Sequence, residues 1–195
     1  MIDLHMHTTY SDGLTGVKDL LLKCEAAGLD KISIADHNTV EAYAELENPN
    51  VRKLYSGEII PGIELSAIFM GVEIEVLGYG IDYKKIKPMI PPDMHANIRH
   101  PGLPLKDIVA MIHACGGKAV LAHPARYKEV LEPPLGKIAL EELDGVECYH
   151  PDHTQEYREY LIDLCKKHDL IITGGSDYHG IGNESVGSQK VKSTL

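Results

Sequence analysis

Short apolar runs recur along the whole chain, each closed by a histidine or a carboxylate, and this recurrence constrains the fold more than any other feature. Ile2–His7 alternates apolar and polar residues as a strand does, with Asp3, His5 and His7 on one face. Lys31–Ala35, Glu58–Ile63, Val72–Leu77, Ala119–Ala122, Gly145–Tyr149 and Leu170–Thr173 read as six further strands. Helical segments lie between them. Thr15 caps one that runs to about Ala27, with Val17, Leu20, Leu21 and Cys24 as its apolar stripe and Gly28 as its stop. Thr39–Leu46, Leu105–Cys115 and Thr154–Lys167 are the others. Strands alternating with helices predict parallel βα units. About seven such units in 195 residues predict an α/β barrel. The chain reads as one domain over residues 1–195, with a short irregular insertion at about 83–104 that holds Pro88, Pro91, Pro92, Pro101 and Pro104.

The residues at the strand ends point to chemistry. Strand one ends in His5-x-His7 and leads to Asp12; strand two ends in Asp36-His37; strand three ends near Glu64. Strand four carries Glu75, strand five ends in His123-Pro124, strand six in His150, and strand seven leads through Gly174-Gly175 to Asp177-x-His179. In α/β barrels that end of the strands is where active sites are built. A lone histidine there is usually a satisfied hydrogen-bonding residue. The combination after five different strands is explained by one metal cluster. Imidazole and carboxylate together suit zinc, manganese and iron, and paired ions are a common hydrolytic device. The sequence has no Gly-x-Ser-x-Gly elbow, no P-loop and no Gly-x-Gly-x-x-Gly after a strand, which argues against serine-hydrolase, triphosphatase and dinucleotide-binding readings.

Bulk properties narrow the partners. The formal net charge is −10, so no basic footprint for a long-lived duplex partner is visible. Cys24, Cys115, Cys148 and Cys165 are far apart and form no Cys-x-x-Cys pair, which predicts reduced thiols. No apolar run reaches the roughly 18 residues of a spanning helix, and the first residues do not resemble a signal peptide. A soluble, cytoplasmic protein that does not act on membranes is expected; the oligomeric state is open.

Asp3-Leu4-His5-Met6-His7-Thr8, Ser11-Asp12-Gly13, Ala35-Asp36-His37-Asn38-Thr39, Pro61-Gly62-Ile63-Glu64, Ala122-His123-Pro124 and Gly175-Ser176-Asp177-Tyr178-His179-Gly180 resemble, in order, the motifs of the PHP (polymerase and histidinol phosphatase) family. The resemblance runs from residue 2 to about 180. It implies a distorted (β/α)7 barrel with a metal site at the C-terminal ends of the strands, and phosphoester hydrolysis by two or three divalent ions (Zn, Mn or Fe). Matched by motif, it implies one ion on His5, His7, Glu64 and Asp177, a second on Glu64 and His123, and a third on Asp12, His37 and His179. Glu75 stands where the family often has a histidine, and is expected as a substitute ligand. The insertion at about 83–104 is shorter than in related free-standing phosphatases, which implies a more open site or a partner subunit as cover.

Around the metals, Arg126, Arg99, His100, His150 and His153 are the expected substrate contacts. Each has a bland counterpart: a surface arginine paired with Glu129, solvated loop residues, or histidines that only support the site. The leading function is a phosphoesterase acting on small phosphomonoesters or nucleotide phosphates through a metal-activated water. The alternatives are a PHP-type exonuclease on short oligonucleotides and a non-catalytic PHP module that supports a partner protein.

Overall fold

The computed structural model describes residues 1–94, 102–127 and 143–195. Two sheets carry the fold. β1 (Ile2–Asp3), β2 (Lys31–Ile32) and β3 (Glu58–Ile59) form a parallel set in that order. The second sheet contains β4 (Gly62–Phe69), β5 (Val72–Tyr79), β6 (Leu103–Pro104), β7 (Lys118–Leu121), β8 (Gly145–Tyr149) and β9 (Ile171–Gly174), in the order β6-β4-β5-β7-β8-β9.

Backbone contacts past the regular ladders join the two sheets at both sides. Leu4 N–H donates to Gly174 O at 3.2 Å, and Met6 bridges Tyr178 in parallel, so the β1 segment lies beside the β9 segment. On the other side His37 bridges Glu64 in parallel, which joins the β2 segment to β4. Leu4, Ala35, Leu77, Tyr79, Val120 and Ala122 form a small buried cluster drawn from both sheets. The architecture is the expected distorted α/β barrel. The regular ladders of β1 and β2 are two residues each, shorter than the alternation predicts, whereas β4 and β5 run eight residues each.

The hairpin of β4 and β5 departs from the expected all-parallel order. β4 and β5 are antiparallel from Gly62↔Tyr79 to Phe69↔Val72, and β5 is antiparallel to β7 as well. Met70 and Gly71, with φ of +50° and +80°, make the two-residue turn that such a hairpin needs. The expected third strand, Glu58–Ile63, is split at Ile60-Pro61, because proline has no N–H to continue the ladder.

Helices cover the outside. α1 (Val17–Ala26) buries Val17, Leu20, Leu21 and Cys24, the stripe expected from the sequence. Its N-cap is Gly16 rather than Thr15, whose hydroxyl lies 3.0 Å from the Tyr178 hydroxyl instead. α2 (Ala42–Leu46), α3 (Pro49–Arg52) and α4 (Tyr83–Ile86) are short. α5 (Leu105–Ala114) buries Leu105, Ile108, Val109, Met111 and Ile112. α6 (Gln155–His168) starts at Thr154, whose hydroxyl accepts from Tyr157 N–H at 3.2 Å, and buries Tyr157, Leu161 and Cys165. Among the described residues no helix is long and apolar enough to cross a membrane.

Candidate metal centre

Local structure explains why the polar side chains converge. Asp3 is buried and accepts from the N–H groups of Ser176 at 2.9 Å and Gly187 at 2.7 Å, tying β1 to the segment that carries Asp177. Gly175 passes so close to β1 that an added Cβ would lie 2.4 Å from the His5 backbone nitrogen. Asp36 accepts from Thr8 N–H, Thr8 Oγ1 and Ser11 Oγ at 2.6–2.8 Å, which shapes the turn leading to Asp12. Glu75 lies opposite Ser66, and Leu77 opposite Glu64. Glu64 and Glu75 are therefore diagonal neighbours on one face of the hairpin. His123 and Asp177 have φ of +27° and +52°, conformations that non-glycine residues hold at a cost and that cluster at functional sites.

All nine residues expected to hold metal meet in one place. His5, His7, Glu64 and His123 have no exposed surface. His5 Nε2 lies 3.1 Å from His7 Nε2, 3.2 Å from Glu64 Oε2 and 3.3 Å from Asp177 Oδ1. His7 Nε2 is 3.3 Å from each of the same two oxygens. A tetrahedral ion with bonds of about 2.0–2.1 Å has ligand–ligand edges of about 3.3 Å. The five separations of His5 Nε2 and His7 Nε2 from each other and from the two carboxylate oxygens, 3.1–3.3 Å, have that length.

The remaining groups adjoin it. Glu64 Oε1 faces His123 Nε2 at 3.0 Å, and Glu75 Oε2 reaches the same nitrogen at 3.2 Å. His37 Nδ1 lies 3.2 Å from Glu64 and 3.3 Å from Glu75. It is buried yet makes no hydrogen bond of acceptable geometry, an orphan aimed into the cluster. On the far side His179 Nε2 is 3.2 Å from Asp12 Oδ1, and His7, Asp12, His37 and His179 can direct donor atoms within 4.8 Å of one another.

Electrostatics make the same demand. Burial alone would lower the pKa of His5, but Glu64, Glu147 and Asp177 overcome it and hold the ring well above its ordinary value. Against the same penalty of burial, Asp177 and Glu64 lift His7 to about 10, and Glu64 and Glu75 lift His123 to about 9. Burial would raise Asp177, but His5, His150 and His7 hold it below the usual carboxylate range. The buried carboxylates call for positive charge, which either protons or cations can supply. The donor set thus fits divalent ions.

The expected substrate contacts divide. Arg126 stands half-exposed at the rim, its Nη2 2.6 Å from Asp177 Oδ2 and its Nε 3.0 Å from Asp152 Oδ2. His150 is buried, with Nε2 3.3 Å from Asp177 and Nδ1 accepting from Asp152 N–H at 3.1 Å. It supports Asp177 and has no free nitrogen for substrate. His153 is turned away: its Nδ1 lies 2.9 Å from Cys148 O, and Ala125 N–H donates to its Nε2 at 3.5 Å. Burial lowers its pKa to about 4. It ties the His123-Pro124-Ala125-Arg126 turn to the end of β8. Arg99 and His100, like Glu129, lie outside the described residues.

Two residues at the centre were not singled out by the strand-end pattern. Glu147 is fully buried on β8, 3.0 Å from His5 Nδ1, and accepts from the His123 N–H at 2.8 Å. Tyr127 places its hydroxyl 3.2 Å from His123 Nδ1 and 3.3 Å from Glu75 Oε2. The one sequence signal for Glu147 is a carboxylate inside an otherwise apolar strand.

The PHP domain model matches residues 3–171. The chain belongs to the PHP domain family. By that membership it is a metal-dependent phosphoester hydrolase. It is 22% identical to the 5'-3' exoribonuclease Rnm of Escherichia coli over 91% of this chain and 84% of that protein. That alignment runs over 247 positions, so the relative carries length with no counterpart among these 195 residues. The chain is also 22% identical to the phosphoribosyl 1,2-cyclic phosphate 1,2-diphosphodiesterase of Eggerthella lenta, over 91% of this chain and 94% of that one. A solved structure from Bifidobacterium adolescentis, assigned as a metal-dependent phosphoesterase, superposes with a TM-score of 0.79 at 21% identity, over 96% of this chain and 91% of that chain. That likeness shows the fold.

Proposed function

We propose that the chain hydrolyses small phosphomonoesters or nucleotide phosphates with water activated by two or three divalent ions at this cluster. The convergence of His5 Nε2 and His7 Nε2 on each other, on Glu64 Oε2 and on Asp177 Oδ1, at 3.1–3.3 Å, carries the reading. These four residues hold one ion. Glu64, His123 and Glu75 would hold another. Asp12, His37 and His179 hold the third. Zinc, manganese and iron all suit this mixture of imidazole and carboxylate. When bound, the ions lower the pKa of a coordinated water and offset the charge of the phosphate.

The side chains do the positioning. Glu64 presents one oxygen to His5 and His7 and the other to His123, which places the donor sets side by side. Arg126 presents its guanidinium at the rim, where paired N–H groups grip phosphate oxygens, and Asp152 holds it there. Water adds to phosphorus, the ester P–O bond breaks and the leaving oxygen takes up a proton.

A second reading, exonuclease action on short oligonucleotides, is favoured by the name of the E. coli relative. The net charge of −10 favours a small substrate, because a long polyanion needs a basic track. Assays of the metal-loaded chain on p-nitrophenyl phosphate, nucleoside monophosphates and short 5'-phosphorylated oligoribonucleotides separate the two. Chelation is expected to abolish turnover, and Mn²⁺ or Zn²⁺ to restore it. Faster cleavage of the oligonucleotide than of any mononucleotide would favour the exonuclease. A fully loaded preparation inert toward all three classes refutes both.

A further inference from the structure

We infer that Glu147 is a positioning residue: it fixes the His5 imidazole in its Nδ1–H tautomer and anchors the His123 backbone, so aiming two nitrogens at Glu64. The inference rests on the reading above that His5 and His123 hold ions.

Glu147 is fully buried. Its two oxygens have separate tasks. One accepts from the backbone N–H of His123 at 2.8 Å, and a backbone N–H can only donate. The other lies 3.0 Å from His5 Nδ1. An ionised carboxylate can only accept, so His5 must carry its proton on Nδ1. With an ion in place of the second ring proton, the Nε2 lone pair would face the side of His7, Glu64 and Asp177. Carboxylates orient metal-binding imidazoles in this way. The bond to His123 also helps hold that residue at its φ of +27°.

A β-bulge explains how a carboxylate comes to be there. Glu147 pairs with Thr173 and Tyr149 with Gly174, so β8 carries one more residue than β9 over this step. In a regular strand Glu147 and His150 would point to opposite faces. Here both reach the cluster, while the Cys148 sulfur lies 3.7 Å from Cys165 on α6.

Glu147→Gln is the diagnostic variant because it keeps size and shape. Its single amide oxygen must serve the His123 N–H. Its amide nitrogen then donates to His5 Nδ1 and drives the ring proton to Nε2, toward the cluster. Zinc titrated calorimetrically into the metal-free protein is expected to bind about 10–100-fold more weakly to the variant at one site. A purely structural role would lower the melting temperature and leave that affinity unchanged. Affinity within about threefold of wild type overturns the inference. In ¹⁵N NMR of the zinc-loaded wild type, the His5 ring is expected to be protonated at Nδ1. Metal on Nδ1 overturns the inference without any variant, so the test survives if Glu147→Gln fails to fold. A wild-type chain that binds neither zinc nor manganese overturns the metal-centre reading and this inference with it. Full wild-type binding with an unaffected variant overturns this inference alone.

Discussion

The inner and outer halves of the cluster are built differently. His5, His7, Glu64 and His123 are fully buried, and His5 and His123 are braced from behind by Glu147. Asp12, Glu75 and His179 face the opening, with 30%, 23% and 17% of their side chains exposed. Buried donors with fixed partners lose little freedom on binding an ion, whereas exposed ones must be ordered and desolvated first. The difference predicts a tightly held inner ion and a more exchangeable outer one, with the exchangeable side at the approach to substrate.

The largest expected effect comes from Glu64, which among the described residues is the one within 3.3 Å of His5, His7, His37 and His123. Glu64→Gln should empty both the first and second positions and lower kcat by at least about 10³-fold, the loss of several kcal/mol of transition-state stabilisation. Metal analysis and turnover check this. Activity within tenfold of wild type would remove Glu64 from the centre. His5→Ala and His7→Ala should behave alike, with far-ultraviolet circular dichroism retained.

Graded chelation tests the two halves directly. Metal content followed against chelator concentration should fall in two steps, with the outer ion leaving first. A single step would show that the halves act as one site. In the reverse titration, activity should return in step with the second ion.

How far the sequence could be read follows the same division between simple and irregular backbone. Strand ends were legible because apolar runs and the His-x-His, Asp-His and Asp-x-His pairs do not depend on chain direction. Periodicity carries no sign of direction, so the antiparallel return of Val72–Tyr79 was invisible in it, although Met70-Gly71 is the shape of a hairpin turn. Glu147 was missed because a period of two cannot register the bulge that turns it and His150 to the same centre. For His153, expected either to contact substrate or to support the site, only the fold shows both ring nitrogens placed against backbone atoms.

Glu75 sharpens the comparison from the outer side. It touches both His123 and His37 and accepts from the Tyr127 hydroxyl at 3.3 Å. Glu75→Ala should remove one ion and leave the others. Glu75→His should keep activity within about tenfold and shift preference from manganese toward zinc, as a softer donor replaces a hard oxygen. Unchanged metal content in the alanine variant would reduce Glu75 to a strand residue.

The smallest expected effect is at Arg126, which belongs to the rim. Its guanidinium bridges Asp177 and Asp152 while remaining half-exposed, so two roles compete: gripping phosphate and restraining Asp177. Kinetics separate them. A group that only binds ground-state phosphate affects KM, whereas one that steadies Asp177 as a metal ligand affects kcat and metal content. His150 already restrains Asp177 from inside the fold, at 3.3 Å, so the second role is shared and the first is not. Arg126→Ala should therefore raise KM about tenfold, or about 1.4 kcal/mol, with kcat within about threefold and metal content unchanged. Inhibition by inorganic phosphate should weaken in parallel, because the same N–H groups bind it. Arg126→Lys should recover only part of the loss, since an ammonium cannot make the paired contact. A fall in kcat with KM unchanged, accompanied by loss of an ion, would move Arg126 from the rim to the support of the inner half.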